Sequence, residues 1–405
     1  MKCPKLRPVE AIPVEAQGRQ LMALRDPLGI AREVVAIPMD LCSLLSLFDG
    51  ETTYLDAQAE YVRKHGTLLF TGQIENLVRQ LDENFLLEND RYRERLRSVQ
   101  EDFRRLSVRP ATCTPNAYSA DPEECREQFE EFLGPARGTS QAGVEGLVGL
   151  VAPHVDIARG KKVYGSAYAL AERASDVELF VIFGTCHAAM KNLFALTEKD
   201  WITPFGKIPA DKRLIRAILS RSETDFLEDE FAHKAEHSIE IQVAILSYLR
   251  RERPGFSIVP ILCGSFDELV AQGGKPAGNP QLRDFLASLD EVLAGDKRRR
   301  LFLAGADLAH IGPRFGDTEG LSRELLDRAQ RADKESLVEL AGGGAEAFYG
   351  AVAAHRNRYR VCGLGAVYCA ASAARPATGR ILDYEQWVDD AGTSSVSFAS
   401  VALYA

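Results

Sequence analysis

Residues 177–189 read VELFVIFGTCHAA. The unbroken apolar run from Leu179 to Phe183 is what a strand buried on both faces requires, and the polar exit through Thr185, Cys186 and His187 marks its end in a loop. Comparable runs recur at 145–153 (EGLVGLVAP), 256–264 (FSIVPILCG), 299–307 (RRLFLAGAD), 380–384 (RILDY) and 396–404 (VSFASVALY). Helical patterns lie between several of them, among them VYGSAYALAERA (163–174), EHSIEIQVAILSYLRRE (236–252) and PQLRDFLASLDEVLAG (280–295). Continuous apolar strands interleaved with amphipathic helices predict an α/β fold: a largely parallel sheet covered by helices on both faces. Gly342-Gly343-Gly344 reads as a loop, and no fixed-period repeat is visible.

The first hundred residues have a different texture. REVVAIPM (32–39) reads as a short strand, and DLCSLLSLF (40–48) as a helix opened by Asp40. TTYLDAQAEYVRKHG (52–66) and TGQIENLVRQLDE (71–83) read as helices headed by threonine caps, and NFLLENDRY (84–92) as a hairpin. Three short helices with a small hairpin describe a winged-helix-like N-terminal domain. The charged stretch 91–110 reads as a linker helix that Pro110 ends. The expected division is therefore 1–107 and 108–405, in keeping with a length too great for one ordinary core.

The chain has 405 residues, a net charge of −9 and 46% apolar residues, as expected of a globular cytoplasmic protein. The N-terminal segment is basic but lacks the apolar core of a signal peptide, and no later run reaches a membrane helix. Residues 1–105 hold 15 Lys and Arg against 17 Asp and Glu, with no basic block elsewhere, so neither nucleic acid nor membrane is an expected partner. Eight scattered cysteines without a Cys-x-x-Cys pair exclude a disulfide framework and a zinc ribbon.

Histidine placement carries the chemistry. Six of seven histidines lie beyond residue 150, and His154, His187 and His310 each follow a predicted strand. One such histidine is ordinarily a hydrogen-bonded rim residue. Three at the carboxyl ends of three strands converge where ligands bind in open α/β sheets. If the loop 307–310 makes one helical turn, Asp307 and His310 share a face and can pair, which suits a general acid or base. Cys362 in VCGLGAVYCA stands at a predicted helix start, where the dipole favours thiolate, and is a candidate third ligand. EHSIEIQ adds His237 and Glu240 at a helix head, with Glu236 as a first-turn acid. Neutral imidazoles suit iron, copper or zinc. Cys186 and His187, adjacent on an extended segment, point to opposite sides, so only His187 is assigned to the site.

Eight segments in order, APHVD (152–156), FGTCH (183–187), TPFGKIPAD (203–211), EHSIEIQ (236–242), IVPILCG (258–264), GADLAHIG (305–312), VCG (361–363) and SSVSFA (394–399), resemble the Memo-like family, protein B of the AmmeMemoRadiSam group. The segment 109–133 is similar to that family's opening. The resemblance covers about 108–405. It implies a fold like that of class III extradiol dioxygenases, with His154, His187 and Cys362 as metal ligands and Asp307 and His310 lining the pocket. Two departures stand out: Asp156, a further pocket candidate, replaces a common glycine, and Ala188 replaces a second histidine. The first 100 residues look like PqqD-like winged-helix modules that bind peptides.

The first functional reading is thus a redox or dioxygenase-type non-haem site holding iron(II) or copper, with zinc a third candidate, acting on a small molecule or peptide. A thiolate among the ligands softens the site toward copper or zinc. The alternatives are a non-catalytic metal carrier or scaffold that holds a peptide or radical-SAM partner, and a cysteine hydrolase using Cys362, His310 and Asp307.

Overall fold

The structure, a computed structural model, describes residues 1–16, 18–139, 143–253 and 255–405. It divides into two compact units, Met1–Leu106 and Ser107–Ala405.

The first unit opens with an antiparallel sheet of Glu10–Ala16, Arg19–Arg25 and Val35–Pro38, in that order. Helices Tyr54–His65, Thr71–Glu83 and Asp90–Arg105 follow and bury Ala57, Tyr61, Ile74, Leu77 and Leu81 in a small core with Leu24 and Ile37. Several local expectations are corrected here. The first two strands carry exposed charged residues at their ends and apolar runs of no more than four residues, so the apolar pattern concealed them. NFLLENDRY forms no hairpin: Phe85 turns the chain with φ 57°, and Asn89 caps the next helix by accepting from Tyr92 N–H. Thr53 caps its helix as expected, but Thr71 lies inside the helix that Phe70 precedes, and Asp40 accepts from the Tyr61 hydroxyl rather than opening a helix.

The second unit is built on an eight-stranded sheet. Its centre is four parallel strands ordered Leu147–Ala152, Arg300–Gly305, Leu179–Thr185 and Ser257–Cys263. Antiparallel strands flank them: Phe194–Leu196 beyond Cys263 on one side, and Ser395–Tyr404 beside Leu147–Ala152 on the other. Ser395–Tyr404 also pairs with Thr378–Val388 and with the short His310–Ile311. The strand quoted at the outset runs Leu179–Thr185 and is buried throughout. Leu179, Val181 and Phe183 enter one core, Phe180 and Ile182 the other, as a period of two between two helical layers demands. Helices Ile157–Arg173 and His237–Leu249 cover one face; Lys212–Leu219, Pro280–Ala294, Arg323–Ala354 and Leu364–Ala374 cover the other. The triple glycine at 342–344 is not a free loop but a break within Arg323–Ala354, at Gly344 with φ 73°.

Two features of this sheet position the site. Ala152, Gly305 and Gly184 stand abreast in register, so residues just beyond them emerge along one rim. Gly184 and Gly305 also lack side chains where helix His237–Leu249 presses on the sheet: a Cβ at Gly184 would strike Ile239, and one at Gly305 would strike the Ser238 carbonyl. The Ser238 hydroxyl fastens that helix head to the Thr185 carbonyl at 2.7 Å.

Candidate metal centre

His154 lies two residues past Ala152, Asp307 two past Gly305 and His187 three past Gly184, so three adjacent parallel strands deliver them to one rim. His237 is the first residue of helix His237–Leu249, whose head rests on the same strands. The His154 and His187 ring centroids are 5.0 Å apart, those of His154 and His237 5.2 Å, and His187 stacks on His237 at 4.9 Å. Each imidazole contributes one nitrogen to a set lying within 4.8 Å of one another. His154 is buried, whereas 37% of the His187 and 40% of the His237 side chain is exposed, so the cluster opens to solvent on that side.

What fixes the rings is the bond at each Nδ1. Glu236, buried, caps the helix by accepting from the N–H groups of His237 and Ser238 at 2.8 and 3.0 Å. The same carboxylate accepts from His187 N–H at 2.8 Å and lies 3.1 Å from Nδ1 of both His187 and His237. Nδ1 of His154 is 3.0 Å from the Gly305 carbonyl oxygen. With Nδ1 engaged in all three rings, Nε2 is the nitrogen left to a metal, the usual consequence of an outer hydrogen bond to a ligating imidazole.

Cys362 lies just ahead of helix Leu364–Ala374, with Sγ 3.5 Å from His154 Nε2 and 3.7 Å from the Asp307 carbonyl oxygen. Asp307 does not pair with His310 as a helical turn would require. Residues 306–309 are extended beside Ser395–Tyr404, with Leu308 N–H donating to Ser397 O at 2.8 Å. Asp307 Oδ1 instead accepts from the N–H groups of His154 and Val155, and Oδ2 lies 3.6 Å from His154 Nε2. His310 Nδ1 is 3.0 Å from the Leu308 carbonyl oxygen, and its ring meets Phe315 edge-on. Asp156 is a helix cap, accepting from Ala158 N–H at 2.9 Å, which answers the substitution at that position: its carboxylate serves the backbone of Ile157–Arg173.

The charges follow from burial and these neighbours. Burial, reinforced by His187 and His237, holds His154 well below the usual imidazole range. For His187 burial opposes protonation, but Glu236 and the Cys362 sulfur outweigh it and raise the pKa well above that range. Burial would raise Glu236, yet the two facing histidines keep it well below the carboxylate range. Asp307 is raised by burial, and burial lowers His310 to about 4. The Cys362 thiol is pushed up by burial, against the lowering by His187 and despite the helix start behind it. A raised thiol beside His154, with Asp307 engaged elsewhere, gives little support to a Cys362–His310–Asp307 triad.

One turn below Glu236, a second carboxylate ties in the opening segment. Glu240 accepts from the N–H groups of Thr112 and Cys113 at 2.9 and 2.8 Å, from the Tyr118 hydroxyl at 2.7 Å and from Arg109. Arg109 is fully buried, also donates to the carbonyls of His233 and Glu236, and lies over the Trp201 ring.

Sequence reasoning singled out His154, His187, Cys362, Asp307, His310 and His237, and the structure brings them to one rim. Glu236, a first-turn acid by sequence, is here the shared partner of two imidazoles. A single acid between a strand-end histidine and a helix-head histidine serves both, but only the fold makes His187 and His237 neighbours.

A family model described as Memo-like protein matches residues 109–402. A MEMO1 family protein of Aquifex aeolicus is 28% identical over 384 residues, covering 94% of this chain and 95% of its own length. One from Thermus thermophilus is 28% identical over 351 residues, 87% and 99% of the two chains. One from Archaeoglobus fulgidus is 27% identical over 284 residues, 69% and 92%. The first two alignments are long enough to reach into Met1–Leu106.

Proposed function

We propose, for a chain that belongs to the Memo-like family, that the rim of the second unit binds one divalent transition ion through Nε2 of His154, His187 and His237, with Cys362 Sγ as a fourth donor. The observation that carries this reading is the engagement of all three Nδ1 atoms, which leaves three Nε2 atoms to an ion beside a thiol, His187 giving up the proton that its raised pKa holds. Imidazoles suit iron(II), copper and zinc alike, and the sulfur tilts the set toward copper or zinc. Such an ion, when bound, supplies redox and Lewis-acid chemistry.

The chain's own residues do the rest. Glu236 orients two ligands with one carboxylate, and Asp307 holds the His154–Val155 turn in place. His310, lowered to about 4, is neutral at pH 7. Its Nδ1 faces the Leu308 carbonyl and so carries the ring proton, leaving Nε2 to accept one from a small-molecule or peptide substrate admitted on the open His187 and His237 side. The first unit, read as a PqqD-like module, holds the peptide or a radical-SAM protein.

The test is metal content. Full-length protein supplied with iron(II) or copper is expected to hold close to one equivalent by plasma mass spectrometry, and His187→Ala to lose most of it. Wild type without stoichiometric metal would sink the proposal. A carrier without turnover is a second reading, favoured by one observation: Asp307 engages His154 and Val155 rather than orienting His310. Oxygen uptake by the iron-loaded protein with catechols or peptides separates the two.

A further inference from the structure

The candidate ligands stand at the carboxyl ends of the parallel strands. At the opposite, amino ends a cavity of about 470 Å³ opens, within the size range of small-molecule sites. Phe256, Ile208 and Phe205 give it an apolar wall. Its charged lining is wholly basic, consisting of Lys207, Arg250, Arg251 and Arg298, with no carboxylate among the lining residues of a chain whose net charge is −9.

Arg298 is satisfied without a ligand: Asp211 and Asp296 hold it at 2.6 and 2.7 Å. Arg250 is not. It follows the last turn of helix His237–Leu249 and is only 5% exposed. Its Nη2 donates to the Ala174 and Ala171 carbonyls, at the C-terminal end of Ile157–Arg173, at 2.6 and 3.3 Å. Those carbonyls carry about half a negative charge between them and compensate part of the guanidinium. Arg250 Nε has no hydrogen-bond partner, and among the described residues no carboxylate forms an ion pair with it. Burial lowers its pKa accordingly. Nε is closed off from solvent, so Arg250 acts on the cavity through its charge: a buried cation without a carboxylate is costly alone and favourable near an anion. Arg251 is held over the Tyr248 ring at 4.1 Å, and Lys207 lies 3.3 Å from Asp200, so both remain close to the cavity mouth.

We propose that this cavity binds a small organic phosphate. Arg251 and Lys207 meet the head group, the buried charge of Arg250 stands behind them, and a flat apolar body lies against Phe205, Ile208 and Phe256. Three cations match the charge and the several oxygens of a phosphate better than those of a carboxylate. The assignment does not depend on the metal centre at the other end of the sheet.

Isothermal titration calorimetry on the full chain with phenyl phosphate, inorganic phosphate and benzoate tests it. Phenyl phosphate is expected to saturate one site and to bind about tenfold more tightly than inorganic phosphate, because its ring is buried. Lys207→Gln with Arg251→Gln is expected to weaken phenyl phosphate by at least about tenfold while circular dichroism and metal content stay unchanged. This double variant is the deciding one, because Arg250→Gln also disturbs a helix end. Absence of saturable binding at about 10 mM phenyl phosphate overturns the proposal. So does wild-type affinity in the double variant, or benzoate binding as tightly as phenyl phosphate.

Discussion

Glu236 and Glu240 are buried one turn apart on the same helix, and they are used in opposite ways. Glu240 is closed off: a guanidinium, two backbone N–H groups and two hydroxyls occupy its oxygens. Glu236 is also fully bonded, but its imidazole partners each keep a second nitrogen on the far side. A carboxylate that meets arginine ends a network, because every guanidinium proton is a donor directed inward. A carboxylate that meets histidine passes the network on, because the ring has a second face. The difference separates a structural clamp from a ligand-presenting support within 6 Å of helix rise.

Three substitutions sharpen this contrast, in decreasing order of expected effect. Glu240→Gln leaves the Arg109 charge buried without its counter-charge. It should cost about 3–5 kcal/mol in urea unfolding, and a loss under about 1 kcal/mol would show that the clamp is not what anchors residues 109–118. Glu236→Gln presents an amide N–H₂ to at least one imidazole Nδ1 that now faces a carboxylate. Metal affinity, followed by competition with a chelator, should fall about 10- to 100-fold. Unchanged affinity would reduce Glu236 to a helix cap. Asp156→Ala removes a cap alone, so about 1 kcal/mol of stability should go while metal content holds. Loss of metal there would make Asp156 a ligand after all.

The parallel strands were legible because burial on both faces writes itself as an uninterrupted apolar run, as in Leu179–Phe183. The strand-end histidines were legible for the same reason: each run has a sharp end. Where the reading failed, the cause is a tertiary partner that local spacing does not encode. Asp307 and His310 have the separation of a helical turn, but hydrogen bonds to Ser397, almost ninety residues on, draw the segment out along a strand. Asp156, a pocket candidate by sequence, gives its carboxylate to the backbone N–H of Ala158, a capping bond that the spacing of strand-end residues does not reveal. The small sheet at Glu10–Arg25 was hidden because its first strand alternates between partly buried and exposed residues and the apolar run of the second, Leu21–Leu24, is only four residues long between charged ends.

The two bare positions under the helix head, Gly184 and Gly305, offer no side chain to the site, yet they set the height at which Glu236 and His237 stand above the strand ends. For anyone sorting sequences by whether they keep this site, that makes them as diagnostic as the histidines. A chain with all three imidazoles but an alanine at either position would carry the right donors on a displaced platform. Its altered metal preference would be unreadable from the ligand list.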